Sequence, residues 1–330
     1  MKNLIKFIVL FLFATAQSLL AQTPGSLDIT FSNGGVTTAS LDSVPNNTRG
    51  AGIALQTDGK IVSIANYNHG LGDAYAGIIR HNSNGKVDSS FGINGIVKTT
   101  FPLNYNNSLK SVAVQNDGKI VIAGYSQITS ASLKQFLVLR YNSNGSVDAS
   151  FGTNGRTLID IAAKDDIANT LAIQADGKIV VGGYCTQNNS FYDFAVVRLN
   201  TNGSIDNTFG TNGITVIDFE SDDDVINSLL IQPDGYILAA GYYRTSVVPH
   251  RAFGMIRLNE YGALDGGFGT GGILKLDIST TSHEISAMAL QEDSSAIIAG
   301  NGSNDIYAMR IKPNGTVDGT FGNSGIYRVN

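Results

Sequence analysis

An all-β fold, a β-propeller of four-stranded blades, is what this sequence predicts, on three observations. A twelve-residue unit at 173–184, IQADGKIVVGGY, recurs from Leu55 (LQTDGKIVSIAN), Val114 (VQNDGKIVIAGY), Ile231 (IQPDGYILAAGY) and Leu290 (LQEDSSAIIAGN). Its aspartates, Asp58, Asp117, Asp176, Asp234 and Asp293, lie 59, 59, 58 and 59 residues apart by subtraction, and a fixed period of this size marks a repeat architecture. Within each period short apolar and β-branched runs alternate with Gly, Asn and Asp, and no window sustains a helical spacing.

In the third copy the first strand falls at 169–174, and Asp176-Gly177 closes a tight hairpin because Gly accepts positive φ without steric cost. The second strand falls at 178–184. A polar loop over 185–193 leads to a third strand at 194–200, the Asn202-Gly203 turn and the segment SIDNTFGTNG follow, and 214–219 forms a fourth strand. Four antiparallel strands in about 60 residues make one blade, and copies stacked around an axis bury both faces of each sheet. The alternative is an open β-solenoid, whose coils usually repeat at roughly 20 to 30 residues. Gly124, Gly183, Gly241 and Gly300, with Ala65 in the first copy, are expected to permit close approach between blades.

First, second and third strands occur five times, but the fourth-strand pattern occurs six times, starting at Gly35, Gly95, Gly155, Gly213, Gly272 and Gly325. The expectation is five blades closed by pairing the chain ends; six positions or an incomplete array are the alternatives. Residues 1–21 carry Lys2 and Lys6, an apolar run from Phe7 to Phe13 and small residues ending in Ala21, the pattern of a secretory signal. Residues 22–330 then form a single propeller domain, secreted or held at the cell surface, with no membrane span and expected as a monomer.

The segments RLNTNGSIDNTFGTNG (198–213) and IQADGKIVVGGY resemble the bacterial delta-60 repeat family, the DUF5122 β-propeller domain, across nearly all of residues 27–330. The resemblance implies a secreted or surface propeller of undefined activity.

A net charge of −5 without a dense basic patch argues against nucleic acid or anionic membrane as partner. The single cysteine, Cys185, excludes an internal disulfide and reads as a filler at a strand end, with single-residue reactivity as the other reading. Each copy ends its third strand in an arginine with an aspartate eight residues on: Arg80 with Asp88, Arg140 with Asp148, Arg198 with Asp206, Arg257 with Asp265, Arg310 with Asp318. Five such pairs read as structural ion pairs rather than catalysis, since Arg offers several donors in a fixed fork. Phe91, Phe151, Phe209, Phe268 and Phe321 follow as apolar plugs between blades. The run Asn200-x-Asn202-Gly203-x-x-Asp206 faintly resembles a calcium loop, but no bidentate Glu closes it and a plain Asn-Gly turn is expected.

Eight residues before each repeat glutamine stand Thr48, Asn107, Asp166, Asp224 and His283. If the blades superpose, these are expected to ring one channel mouth, with Asp165, Asp222, Asp223 and Glu284 beside them. Crowded carboxylates there would draw a hard cation such as Ca²⁺; a solvated acidic rim is the simpler reading. The loops between second and third strands open on the same face and vary in length and content, whereas the opposite face carries regular turns, as in a scaffold with a binding surface. Tyr67, Tyr75, Tyr125, Tyr184, Tyr192, Tyr242 and Tyr243 lie near those loops and offer stacking surfaces for a glycan or protein. No zinc-type histidine pair, nucleophile elbow or phosphate loop is present. The expectation is a non-enzymatic exported binding or scaffold propeller; the alternative is a metal-assisted hydrolase or lyase at the acidic mouth, using Asp166, Asp224 and His283.

Overall fold

A computed structural model describes residues 26–39, 41, 48–68, 74–100, 107–127, 132–162, 164–187, 191–220, 222–245, 250–302 and 305–329. The expected signal at 1–21 lies outside them. The described residues hold no helix and form five four-stranded antiparallel sheets. Blade 1 is β1 (Thr48–Leu55), β2 (Ile61–Asn68), β3 (Ala74–His81) and β4 (Ile96–Thr100); blade 2 is β5 (Asn107–Val114), β6 (Ile120–Gln127), β7 (Lys134–Tyr141) and β8 (Arg156–Ile159). Blade 3 is β9 (Asp166–Ile173), β10 (Ile179–Thr186), β11 (Tyr192–Leu199) and β12 (Ile214–Ile217); blade 4 is β13 (Val225–Ile231), β14 (Ile237–Arg244), β15 (Arg251–Leu258) and β16 (Ile273–Leu276). Blade 5 is β17 (His283–Leu290), β18 (Ala296–Gly302), β19 (Asp305–Ile311) and β20 (Ile326–Val329). The fold is an all-β five-bladed propeller.

Strands that carry apolar residues on both faces need cover on both. In β10, Val181 packs with Val121, Ala123 and Val138 of blade 2, while its neighbour Val180 packs with Ile226, Ala239 and Ile256 of blade 4. Each fully buried aliphatic side chain of this kind contributes about 1.5–3 kcal/mol. The Asp-Gly turns sit at one end of every sheet. Asp176 Oδ1 accepts from Lys178 N at 3.0 Å while Gly177 takes φ of 83°, and Ser294 holds the same left-handed place in the fifth copy at φ 64°.

Every inner strand carries a β-bulge, at Gly50/Gly52, Leu109/Ser111, Ala168/Thr170, Ile226/Ser228 and Ile285/Ala287. A bulge re-aims the extra side chain, and here Asn169 and Asn227 use it to donate to Ile226 O and Ile285 O of the following blade, each at 2.9 Å. The bulge also corrects the expected role of the small residues opposite it. A Cβ on Gly124, Gly183, Gly241 or Gly300 would meet Ser108 O, Ile167 O, Val225 O or Glu284 O at 1.9, 2.0, 1.9 and 2.2 Å, all carbonyls of the same blade. The tight approach is therefore within each blade, not between blades. Gly183→Ala is expected to destabilise by about 2 kcal/mol, since rigid backbone must move; urea unfolding checks this, with Gly266→Ala, where a Cβ meets nothing within 4 Å, as the neutral comparison.

Closure by pairing the chain ends is not what the structure shows. β20 pairs with β19 of its own blade, blade 1 is complete in β1–β4, and among the described residues no strand pairs with the surplus segment after Gly35. That segment instead docks on blade 1 as the last quarter of each blade docks on the next. Ser32 N donates to Asn84 O at 2.7 Å, as Gly92 N does to Asn144 O at 2.9 Å and Gly210 N to Tyr261 O at 2.7 Å. Leu41, 2% exposed, fills the space over Gly77 as Phe219 lies over Gly254.

Because this place on blade 1 is taken, blade 5 cannot bring its own last strand there. Inner strands pack in the order β1, β5, β9, β13, β17, and no comparable packing returns from β17 to β1. The seam shows in exposure: Ile53 is 70% exposed where its counterpart Val112 is 8%, and Ile306 is 63% exposed where Phe194 is 0%.

Candidate functional site

The arginine motif ties blades together. Arg198 Nε donates to Asp206 Oδ2 at 2.7 Å, Nη2 reaches Thr208 Oγ1 at 3.2 Å, Nη1 reaches Glu260 O in the next blade at 2.5 Å, and the guanidinium lies 4.7 Å from the centre of the Phe209 ring. The same set recurs: Arg80 Nε to Asp88 at 2.8 Å and Arg140 Nε to Asp148 at 2.7 Å, Arg257 to Asp265 and Arg310 to Asp318, each at 2.6 Å. Arg80 crosses to Ser143 O, Arg140 to Thr201 O and Arg257 to Pro313 O. Phe91, Phe151, Phe209 and Phe268 are buried beneath Gly145, Gly203, Gly262 and Gly315 of the following turns, whereas Phe321, with no blade beyond it, is half-buried. Asn202 Oδ1 accepts from Ser204 N at 3.0 Å, so the calcium-like run is a side-chain-bonded turn.

The five residues expected around the channel mouth start, or immediately precede, the inner strands, but they do not converge. Asp166 turns back into its own loop, accepting from Ile161 N at 2.7 Å and Ala162 N at 3.3 Å. Asp224 accepts from Phe219 N at 2.7 Å. His283 Nε2 meets Ile278 N in the same way at 3.4 Å, Nδ1 donates to Thr281 O at 2.8 Å, and the ring is edge-on to Phe253 at 4.7 Å. Asn107 has both side-chain amide atoms buried without a partner, and Thr48 is exposed.

The acids around Asp166 are Asp160 and Asp165; those around Asp224 are Asp218 and Asp193. The expected approach of Asp166 to Asp224 is thus corrected: equal position along the repeat gives equal distance from the axis, but these side chains aim into the loop before their own strand. The flanking acids are also compensated. Asp165 pairs with Lys134 at 2.8 Å, Asp222 with Arg244 at 3.5 Å and Glu284 with Arg251 at 2.7 Å. Asp223 accepts from Tyr192 N at 3.2 Å.

A carboxylate group the repeat count missed lies between blades 3 and 4. Asp193 on β11 stands opposite the end of β12, where Asp218 follows, and Asp224 opens the strand of the next blade. One oxygen from each lies within 4.8 Å of the others. Burial pushes the Asp193 carboxyl up to about 6, with Asp218 adding to it, and burial pushes Asp224 up to about 8 against the Phe219 amide. The sequence signal was a combination and not one residue: the counterparts of Asp193 are Gln135 in blade 2, Ala252 in blade 4 and Asp305 in blade 5, and only in blade 3, among the described residues, does this acid stand beside both Asp218 and Asp224. Cys185 beside it is buried, and burial raises its thiol to about 12, so it is an inert filler.

The varied loops fall largely outside the described residues, among them 69–73, 128–131, 188–190, 246–249 and 303–304, as do the side chains of Tyr67 and Tyr75. Their strand ends carry an aromatic surface. Tyr125, Tyr184 and Tyr242 occupy one position in blades 2, 3 and 4, each directly after the bulge-facing glycine. Tyr184 packs on Tyr192 at 4.5 Å. Burial raises the Tyr184 phenol, and Tyr192, Tyr242, Asp165 and Tyr125 add to it. Lys134 lies 5.6 Å from the Tyr125 ring centre and Arg251 4.3 Å from that of Tyr242, and Phe191 is 38% exposed beside them. Tyr242 and Tyr243 are both buried, at 7% and 4% exposed: Tyr243 stacks on Phe219 at 5.5 Å inside the core and Tyr242 lies under Arg251, so the accessible rings are those of the half-buried Tyr125, Tyr184 and Tyr192.

Among solved structures, the chain is similar to a glucose dehydrogenase at 11% identity and a TM-score of 0.50, covering 85% of this chain and 86% of that one. It is also similar to a protein of unknown function from Dyadobacter fermentans at 12% identity and 0.47, covering 82% of each. At such identities the likeness is one of fold alone. No curated protein matches. The model of the family described as "Domain of unknown function (DUF5122) beta-propeller" matches residues 56–91, 115–151, 174–209, 232–268 and 293–321, the stretches that hold the turn before the second strand, the arginine–aspartate pair and the phenylalanine in successive blades. With its repeats matched in all five blades, the chain belongs to the DUF5122 beta-propeller family.

Proposed function

We propose that this chain is an exported, non-enzymatic binding propeller whose ligand, a glycan, lies on the loop face across blades 2 to 4. The observation that carries the reading is the row of half-buried Tyr125, Tyr184 and Tyr192 at the strand ends, flanked by Lys134 on Tyr125 and by Arg251 over the buried Tyr242. Rings with a hydroxyl tip offer a sugar both an apolar face and a hydrogen-bonding edge, and rigid aromatic side chains lose little entropy when they bind. A latch that ties each of blades 1 to 4 to the next holds the sheets still, so the loops can vary without disturbing the platform. The hydrolase or lyase reading needs Asp166, Asp224 and His283 at one point, and each stays in its own blade's loop.

The test is a glycan array probed with the chain from residue 22 onward, followed by titration of the retained oligosaccharide. With no tryptophan and 13 tyrosines in the sequence, intrinsic fluorescence reports directly on tyrosine. Tyr184→Ala is expected to weaken binding about tenfold, the equivalent of about 1.4 kcal/mol. An array that retains no glycan, or a variant that melts normally and binds as the parent does, would contradict the reading.

A further inference from the structure

The geometry points to a site for a hard divalent cation, Ca²⁺ in the first place, between blades 3 and 4, held by Asp193, Asp218 and Asp224. The site does not rest on the glycan reading. Asp193 is 1% exposed and Asp224 0%, and the Oδ1 atom of each is buried without a hydrogen-bond partner. An unpaired buried carboxylate oxygen is costly, and here two of them belong to one cluster whose third member, Asp218, lies at the exposed side.

The donor set suits calcium. The ligand oxygens lie within 4.8 Å of one another, close enough for one cation to bind all three. Ca²⁺ accepts carboxylate oxygens in a flexible geometry, whereas Mg²⁺ keeps several of its waters and is rarely held by protein ligands alone. Nearby cations are engaged elsewhere: Lys275 binds Phe219 O at 2.8 Å and Glu220 at 3.0 Å, and Arg244 pairs with Asp222.

The other blades show what the place looks like when a protein group supplies the balance. In blade 4 the counterparts of Asp193, Asp218 and Asp224 are Ala252, Asp277 and His283, and His250 Nε2 meets Asp277 Oδ1 at 2.9 Å. In blade 2 Gln135 replaces the first acid. Only blade 3, among the described residues, collects three carboxylates within reach of one ion. A bound cation would add to the tie between Asp224 and the start of β11, where Asp224 N donates to Tyr192 O at 2.6 Å.

The test uses the chain from residue 22 onward, stripped with EDTA, melted at pH 7.5 with CaCl₂ from zero to a few millimolar, and titrated calorimetrically. A ligand of the native state raises the melting point by mass action, so a saturable rise is expected. Asp193→Asn should weaken calcium at least tenfold, and Asp166→Asn, a buried acid outside the cluster, should leave it unchanged. If Asp193→Asn does not fold, Asp218→Asn, at an exposed position, serves in its place. No calcium heat and no melting shift would overturn the site. So would a shift that survives Asp193→Asn or Asp218→Asn, or a cluster stabilised by protons alone, with a melting point that rises as pH falls and ignores calcium.

Discussion

Arg198→Met is expected to lower the unfolding free energy by about 3 kcal/mol, the lower end of what removing one partner of a buried ion pair costs. Both partners are about 95% buried, so solvent cannot replace the lost guanidinium. The loss stays at the lower end because Lys178 Nζ still reaches Asp206 Oδ2 at 3.0 Å. The variant also leaves Glu260 O of blade 4 without its donor. Chemical denaturation of parent and variant at pH 7 measures the difference, and a change below about 0.5 kcal/mol would mean that the pair behaves as an exposed one. Asp206 itself lies well below the usual carboxylate range: burial opposes this, but Thr208, Lys178 and Arg198 together outweigh it. A depressed acid contributes stability above its unfolded pKa and loses it as pH falls through the folded value, so the latch weakens only in strong acid.

Asp166 carries the opposite sign. Burial, against the Ile161 and Ala162 amides, lifts it to about 7, above its unfolded value. Its contribution is therefore full below about pH 4 and is lost as pH rises through about 7. Asp166→Asn, neutral at every pH, is expected to be close to neutral in stability at pH 4. At pH 8.5 it should be more stable than the parent by on the order of 3 kcal/mol, since each tenfold change in proton affinity is worth about 1.4 kcal/mol. Melting both proteins across pH 4 to 8.5 checks this; parallel curves would show that Asp166 is ionised throughout.

The period and the turn chemistry were legible because they are local. An Asp-Gly pair specifies a hairpin by itself, and an arginine eight residues before an aspartate places two charges beside each other across one turn. What crosses between blades was hidden. The second half of the arginine latch, Arg198 to Glu260 O, ends on a backbone carbonyl that no residue type announces. The bulge that forces Gly183 against Ile167 O adds one residue to a strand without altering its composition.

Counting back from the repeat glutamines gave Asp166, Asp224 and His283 a correct place along the strand but no direction. The side chains bind their own loops, so the ring does not form. Asp193 and Asp218 escaped because the count looked for what recurs, and their grouping with Asp224 does not recur. The surplus strand pattern was visible, yet its consequence was steric: Leu41 and Phe31 occupy the face of blade 1 that closure would need.

If Tyr125, Tyr184 and Tyr192 act as one binding surface, each must contribute to affinity. Titration of the array-selected oligosaccharide into the parent chain and into Tyr125→Ala, Tyr184→Ala and Tyr192→Ala measures those contributions, with melting curves to show that each variant is folded. All three folded variants are expected to bind more weakly than the parent. Unchanged affinity in two or more folded variants would contradict a shared surface.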